Sequence, residues 1–162
     1  NSNKMYDISK LMKYAINYLS KFSSSKANLE KILKNKIRRL NIEKKDKFFL
    51  YSSIEEIIDK LEKQNLINDL VYSQSKIRSF AYQGKSKLYI KSYFIQKGIE
   101  KLLIEKLFED YETDNPEWEL SSARVYVRKK RFKEKDDFQK NLSKMARAGF
   151  NYEMSKKILE EI

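Results

Sequence analysis

The stretch KLYIKSYFIQKGIEKLLIEKLFE, residues 87–109, is followed by a second stretch of the same form, FQKNLSKMARAGFNYEMSKKILEE, residues 138–161. Each stretch has apolar residues at helical spacing, then a glycine, then more apolar residues at helical spacing. Aligning Gly98 with Gly149 superimposes apolar residues at Phe94 and Met145, Ile95 and Ala146, Ile99 and Phe150, Leu103 and Met154, Leu107 and Ile158, and Phe108 and Leu159. The two stretches predict a repeated helix–turn–helix.

The composition of the 162 residues favours an all-α fold. The chain has 41% apolar and 13% aromatic residues, enough for a core, but only three Gly and one Pro. Periodicity predicts about nine helices. We group them into three tandem three-helix repeats, residues 1–68, 69–113 and 114–162, in an elongated, curved chain. The first repeat is degenerate, because it lacks the turn glycine and carries an insertion or extended loop near residues 38–52.

Local signals mark where the helices start and stop. The three glycines stand where helices are predicted to end in a left-handed residue, at positions 84, 98 and 149. Pro116 follows Asn115 and predicts a helix with this proline in its first position. The sequence SIEE at 53–56 is a capping box and predicts a helix start. In the first repeat, Ile37 is aligned with the apolar residue that follows the turn glycine.

The net charge of +12 points to a polyanionic partner. The excess is greatest in residues 1–50, where 13 cationic residues face 4 acidic ones. Lys outnumbers Arg 28 to 7 among abundant Ile, Asn and Tyr, so an AT-rich coding sequence is an alternative origin of the charge. The eleven Tyr allow base stacking, although the spacing of Tyr14 with Tyr18 and of Tyr89 with Tyr93 favours packing.

Several classes of function are excluded by residues that the chain lacks. Without His or Cys it cannot build the usual triads or imidazole and thiolate metal sites, and it has no glycine-rich phosphate loop. We therefore expect no catalytic residue, metal or cofactor. The alternative is a Mg²⁺ nuclease using the acidic cluster at Asp110, Glu112, Asp114, Glu117 and Glu119, which we interpret instead as a solvated loop with first-turn acids.

No segment predicts export or membrane insertion. The longest charge-free runs have seven residues, against the roughly 20 apolar residues that span a bilayer. The first ten residues contain no apolar signal region. We interpret residues 1–3 as an expression remnant or a trimmed start, and expect a soluble cytoplasmic protein.

Cationic residues on three predicted helices are the candidate contacts. In ARVYVRKKRFK, residues 123–133, arginines recur at 124, 128 and 131 and predict a stripe on one helix face. A solvated face is the alternative. The full set of candidates is Lys87, Lys91, Arg124, Arg128, Lys129, Lys130, Arg131 and Arg147. A denser cationic segment, residues 34–47, is a further candidate for docking on a polyanion or a solubilising insertion.

Nearly the whole chain resembles the bacterial regulatory protein RecX family. The matching motifs are Ala15 with Tyr18 and Leu19; Leu61 with Asn65, Leu66, Ile67, Asn68 and Asp69; Arg78 with Gly84; Lys97, Gly98 and Ile99; and Arg147, Gly149 and Phe150. The segment ARVYVRKKRF is similar to a helix of alphaproteobacterial members. Asn65 replaces the family's turn glycine and Asn68 its first aspartate, and Asn is suited to a left-handed turn and to a helix cap.

The resemblance implies a non-enzymatic regulator of the RecA recombinase, with a place in DNA repair, homologous recombination and the SOS response. Such proteins lie along the RecA filament on single-stranded DNA and modulate, most often inhibit, its ATPase, strand exchange and coprotease activities. The resemblance thus implies the RecA filament as partner, with single-stranded DNA contacted directly or through RecA. We also expect no membrane partner and a monomer. The alternative function is a freestanding helical nucleic-acid-binding protein.

Overall fold

The computed structural model describes residues 6–162, so the interpretation of residues 1–3 lies outside it. Within that range the chain forms α-helices and no strand, which confirms the predicted all-α fold. The helices are α1 (Ile8–Lys21), α2 (Lys26–Arg39), α3 (Lys44–Lys63), α4 (Asp69–Tyr82), α5 (Lys87–Gln96), α6 (Lys101–Asp114), α7 (Trp118–Lys130), α8 (Phe138–Arg147) and α9 (Tyr152–Glu160).

The first of two compact units ends at Tyr72. Its core forms where the apolar faces of α1, α2 and α3 meet, because each helix is apolar on one side only. Fully buried members are Leu11, Ala15, Leu29, Leu33, Ile37 and Leu61. In α2 these residues recur at intervals of four, so one stripe of the helix is buried and its lysines remain outside.

The second unit, Ser73–Ile162, has a core rich in aromatic residues. Trp118 is 5% exposed and stacks on Phe108 of α6, with ring centroids 6.1 Å apart. Tyr111 meets the same indole edge-on at 5.5 Å. The sole tryptophan therefore packs α7 against α6.

The middle helix of each predicted repeat begins in the same way. The side chains of Ser25, Ser86 and Asp137 each accept a hydrogen bond from the backbone N–H three residues later. Eight residues after each cap stands a residue that is 0% exposed, and these residues are Leu33, Phe94 and Met145. The grouping into three repeats stays a prediction, and this recurrence supports it.

The aligned glycines form identical turns. The N–H groups of Gly98 and Ile99 donate to the carbonyls of Ile95 and Phe94, and those of Gly149 and Phe150 donate to Ala146 and Met145. Both glycines have positive φ. The aligned residues also share their burial. Both residues are exposed in the pair Ile95 and Ala146. Both are buried in the pairs Ile99 and Phe150, Leu107 and Ile158, and Phe108 and Leu159. The two aligned stretches therefore share their turn geometry and their burial, which supports the repeat inferred from the sequence.

The two asparagine substitutions behave as expected. Asn65 ends α3 with φ 59°, and the N–H of Leu66 donates to the Leu61 carbonyl as in the glycine turns. The Asn68 side chain accepts a hydrogen bond from the Val71 N–H at 3.1 Å, which caps the start of α4. Asn thus supplies both functions that the turn requires.

The prediction of an extended loop at 38–52 is wrong, and an insertion there stays a prediction. Only residues 40–43 separate α2 from α3, and α3 is helical from Lys44 onward. Ser53 is buried inside α3, where its hydroxyl donates to the Leu50 carbonyl, so SIEE is not a capping box. Ile37 lies within α2 rather than after a turn, because α2 is 14 residues long and α5 only 10.

The predicted start of α7 is also wrong. Asn115 caps the end of α6, and α7 begins at Trp118 after Glu117 in a left-handed conformation with φ 59°. Pro116 therefore lies in the turn between the two helices. The helix therefore begins at the residue whose aromatic ring packs against α6, and not at the proline.

A carboxylate from the following repeat binds the first N–H of two middle helices. The Lys26 N–H donates to Asp69 in the first turn of α4, and the Lys87 N–H donates to Glu119 in the first turn of α7, both at 2.8 Å. These N–H groups have no acceptor within their own helix. The acids thus connect each middle helix to the helix that opens the next repeat.

Burial raises the pKa of the Glu119 carboxyl above its usual value, and the hydrogen bond from the Lys87 N–H opposes this increase. Because the folded-state pKa is raised, this group stabilises the fold below its usual pKa and loses that contribution as the pH rises. We expect Glu119→Ala to lower the free energy of unfolding by about 1 kcal/mol, as for a lost cap. Glu119→Gln keeps an acceptor and is expected to cost less.

The measurement is urea unfolding between about pH 4 and pH 7, where both substitutions remove the ionisable group and the difference between them reports the lost acceptor. Relative to wild type, Glu119→Gln should gain stability as the pH rises. A constant difference across this range would contradict the assignment.

Candidate functional site

Basic residues gather where α7 passes the end of α4 and the end of α8. A cavity of about 820 Å³ lies there, and we call it the basic groove. Its cationic lining residues are Lys85, Lys129, Lys130, Lys144 and Arg147, and its aromatic ones are Tyr89, Tyr126 and Phe132. Among the described residues no acidic side chain lines it. The groove is therefore suited to an anion.

Lysines of the basic groove stand over aromatic rings. The ammonium of Lys85 lies 4.7 Å from the ring centroid of Tyr89, that of Lys144 lies 5.6 Å from Phe132, and that of Lys130 lies 5.8 Å from Tyr126. Each contact attracts the cation to the ring face and restricts it without neutralising its charge. The charges consequently stay available to a ligand in the groove.

Tyr126 stands centrally in the wall of the basic groove. Its ring packs on Phe150 and Phe132, and its hydroxyl donates to the Lys144 carbonyl at 3.3 Å. Burial raises the pKa of this phenol, while the charge of Arg147 opposes the increase. Tyr126 is therefore neutral at physiological pH, and the groove keeps its full positive charge.

A second cavity, of about 740 Å³, shares Lys129 with the basic groove, and we call it the aromatic cavity. Its other cations are Arg78 and Arg128, and its aromatic residues are Tyr82, Tyr111 and Trp118. Tyr82 is 86% exposed. The Lys129 ammonium donates to the Gln83 carbonyl at 3.1 Å, so this lysine joins α7 to the end of α4. Planar cations beside an exposed ring match a phosphate with an adjoining base.

Turn packing brings these elements together. A Cβ on Gly84 would lie 2.9 Å from the Tyr126 nitrogen, so only glycine lets the α4–α5 turn approach the backbone of α7 so closely. The buried hydroxyl of Ser122 donates to the Lys85 carbonyl at 2.6 Å on the same side. The walls of the groove are thus fixed by backbone contacts between helices that are distant in sequence.

The structure brings some of the predicted residues together and separates others. Four line the two cavities, namely Arg128, Lys129, Lys130 and Arg147. Lys87 and Lys91 line a different groove, between α5 and α6. Arg131 follows the end of α7 in a left-handed conformation. It therefore does not lie on the same helix face as Arg124 and Arg128, and the predicted arginine stripe ends at Arg128. Whether these residues contact a partner stays a prediction.

Arg124 is engaged within the protein. Its guanidinium donates two hydrogen bonds of 2.9 Å to the carboxylate of Glu161, which connects α7 to the residue after α9. This pairing lowers the pKa of Glu161. The stabilising contribution is therefore present at neutral pH and is lost as the pH falls through the lowered value. A structural role for Arg124 weakens its candidacy as a ligand contact.

Sequence reasoning missed several lining residues. Arg78 shares α4 with Lys76, and Lys144 shares α8 with Lys140 and Arg147, but neither helix has a run of consecutive cations like that of α7. Tyr82 follows no apolar pattern that would distinguish it. Lys85 lies between two predicted helices and belongs to no cationic stripe. Its position directly after Gly84 is the one signal available, because a residue following such a turn lies beside the packed helix.

The remaining acidic residues do not form a metal centre in the described part of the chain, where no group of three potential ligands is close enough to hold an ion. Asp110 pairs with Lys106, and Glu119 accepts the Lys87 N–H. Residues 6–162 also contain no helix with the length and apolarity that crossing a membrane requires.

No family model matches the chain. It is 25% identical to the regulatory protein RecX of Myxococcus xanthus over 155 residues, which cover 90% of this chain and 82% of that relative. It is 31% identical to RecX of Clostridioides difficile over 116 residues, covering 67% of this chain and 53% of that relative.

Two solved structures have the same fold. The crystal structure of RecX from Lactobacillus salivarius superimposes with a TM-score of 0.68 at 26% identity, covering 95% of both chains. A second RecX crystal structure gives 0.66 at 21% identity, covering 94% of this chain and 73% of that one, and supports the fold alone. The likeness extends over nearly the whole chain in both comparisons.

Proposed function

This chain belongs to the RecX family, and we propose that it regulates the RecA recombinase by binding the RecA filament on single-stranded DNA. Its role is non-enzymatic: it modulates, and in the main inhibits, the ATPase, strand exchange and coprotease activities of the filament. A protein with this role would act in the cytoplasm. The observation that carries the proposal is the basic groove, which combines cations and aromatic rings without an acidic lining residue.

The chemistry of the two cavities matches a single strand held in a filament. Phosphates need cations that are not already neutralised, and Lys85, Lys130 and Lys144 of the basic groove are held by rings rather than carboxylates. Unpaired bases stack on exposed aromatic side chains such as Tyr82. Such binding depends on released counterions, so it weakens steeply as salt increases.

The test is single-stranded-DNA-dependent ATP hydrolysis by the matching RecA with this protein titrated in. We expect suppression well below one molecule per RecA, because the target is a cooperative filament. Raising the salt fourfold should weaken the inhibition by about 50-fold if about four phosphates are contacted. RecA without this protein at each salt concentration is the control.

Absence of inhibition by folded protein at low salt would overturn the proposal. Sequence-dependent binding to duplex DNA without RecA would then favour the freestanding nucleic-acid-binding protein. Weak binding without sequence preference would favour neither.

A further inference from the structure

Lys87 and Lys91 face a groove whose chemistry differs from that of the basic groove. This mixed-charge groove, of about 520 Å³, lies between α5 and α6. The two lysines stand on one wall, and Glu105, Glu109 and Glu112 line the other. The three acids are spaced by four and three residues, so they form one row along α6.

The floor of the mixed-charge groove is apolar. Ile104 and Phe108 lie beneath the charged walls and are 2% and 4% exposed. The Lys87 ammonium lies 5.4 Å from the centroid of the Phe108 ring. Within residues 6–162, no ion pair within 4 Å involves any of the five charged lining residues. Both rows of charge remain available to a ligand.

The apolar surface continues beyond the groove on the same helix faces. Ile95 lies one turn after Lys91 on α5 and is 60% exposed, and Leu102 precedes Glu105 by three residues on α6 and is 70% exposed. Exposed aliphatic side chains beside a charged groove are typical of protein contacts. A sugar–phosphate backbone, by contrast, would be repelled by the row of glutamates.

We propose that the mixed-charge groove binds an amphipathic helix of the filament protein, whose row of Lys or Arg faces the glutamates and whose apolar side chain covers Leu102. This inference rests on the proposed function and assigns the two kinds of contact to two surfaces. The basic groove contacts nucleic acid, and the mixed-charge groove contacts protein. Charge complementarity selects a basic segment, because the acidic row is the exceptional feature of a chain with a net charge of +12.

Reversing the charge of the acidic row distinguishes a protein ligand from a nucleic-acid ligand, because added positive charge weakens binding of a basic helix and strengthens binding of phosphate. The variant combines Glu105→Lys, Glu109→Lys and Glu112→Lys. The matched control adds the same charge elsewhere through Glu134→Lys, Glu153→Lys and Glu160→Lys. Both are compared with wild type for binding to preassembled RecA filaments and for affinity to a fluorescein-labelled oligo-dT without RecA, with helical content checked by circular dichroism.

We expect the groove variant to bind filaments at least about tenfold more weakly while its affinity for oligo-dT is unchanged or higher, because added cations attract phosphate. The control should bind filaments at least as well as wild type. A second variant, Ile95→Ser with Leu102→Ser, should also lose filament binding and keep oligo-dT binding.

Filament binding by the groove variant at or above the wild-type level would overturn the inference and leave the proposed function intact. Loss of oligo-dT affinity in parallel with filament affinity would also overturn it. If wild-type protein fails to bind filaments, the proposed function itself is wrong, and the inference falls with it.

Discussion

Reversing the charge of the basic groove through Lys129→Glu, Lys130→Glu and Arg147→Glu is expected to weaken inhibition of RecA by about 100-fold. The three residues line one cavity that, in the described chain, has no acidic lining residue, so each reversal replaces an attraction to phosphate by a repulsion. Arg124 is left out of this set because it is paired with Glu161. The helices should remain intact, since all three side chains are exposed.

The matched control combines Lys13→Glu, Lys31→Glu and Lys156→Glu, exposed lysines that do not line either cavity. It lowers the net charge equally and tests whether net charge alone matters. We expect it to reduce inhibition by less than about threefold at moderate salt, since exposed charges act only over roughly the screening length. Equal losses in both variants would mean that binding follows net charge, and full inhibition by the groove variant would remove the groove from the interface.

Replacing Gly149 by alanine is expected to lower the free energy of unfolding by about 3 kcal/mol, the largest stability effect we predict for one residue. Gly149 has φ 100°, a conformation that is strained for a residue with a Cβ. That Cβ would also meet the hydroxyl oxygen of Ser86, which caps α5 and donates to the Ala148 carbonyl at 2.7 Å. The substitution therefore strains a turn and displaces a cap at once.

Gly98→Ala is the control for backbone strain, because Gly98 has φ 72° in an exposed turn of the same form. We expect it to cost about 1 kcal/mol. Combining Gly149→Ala with Ser86→Ala removes the clashing oxygen, so the double variant should be less destabilised than the sum of the single variants by about 1 kcal/mol. Urea unfolding followed by fluorescence of Trp118, which is buried in the same unit, measures each variant. Strict additivity would mean that the clash is relieved by other movements.

The sequence predicts a loop where the first half of α3 lies, and this error has a physical cause. Phe48 and Phe49 are 74% and 59% exposed, so the first half of α3 lacks the one-sided apolar pattern that reveals a packed helix. Its N-terminal residue, Glu43, forms no side-chain cap. Because this half has neither an apolar stripe nor a cap, the helix is stabilised by the buried residues from Leu50 onward. The lysines that precede Leu50 are typical of a loop, so the sequence alone predicts one.

The sequence by itself determined the features that depend on neighbours along the chain. The glycine turns, the repeated apolar positions, the Asn68 cap and the all-α class follow from backbone sterics and the period of the helix, and these act within a few residues. The positive charge and the exclusion of His and Cys chemistry are likewise properties of composition alone.

Tertiary structure decided which cations share a surface. Lys129 and Arg147 line one groove although they are distant in sequence, whereas Arg124 on the same helix as Lys129 is bound to Glu161. Helical periodicity gives the angle of a side chain around its own helix, but the element it faces is set by how helices pack. The Gly84 turn lies close to the backbone of α7, and the Gly149 turn lies close to the Ser86 side chain. These contacts fix the packing around the groove lined by cations, which is separate from the groove lined by both charges.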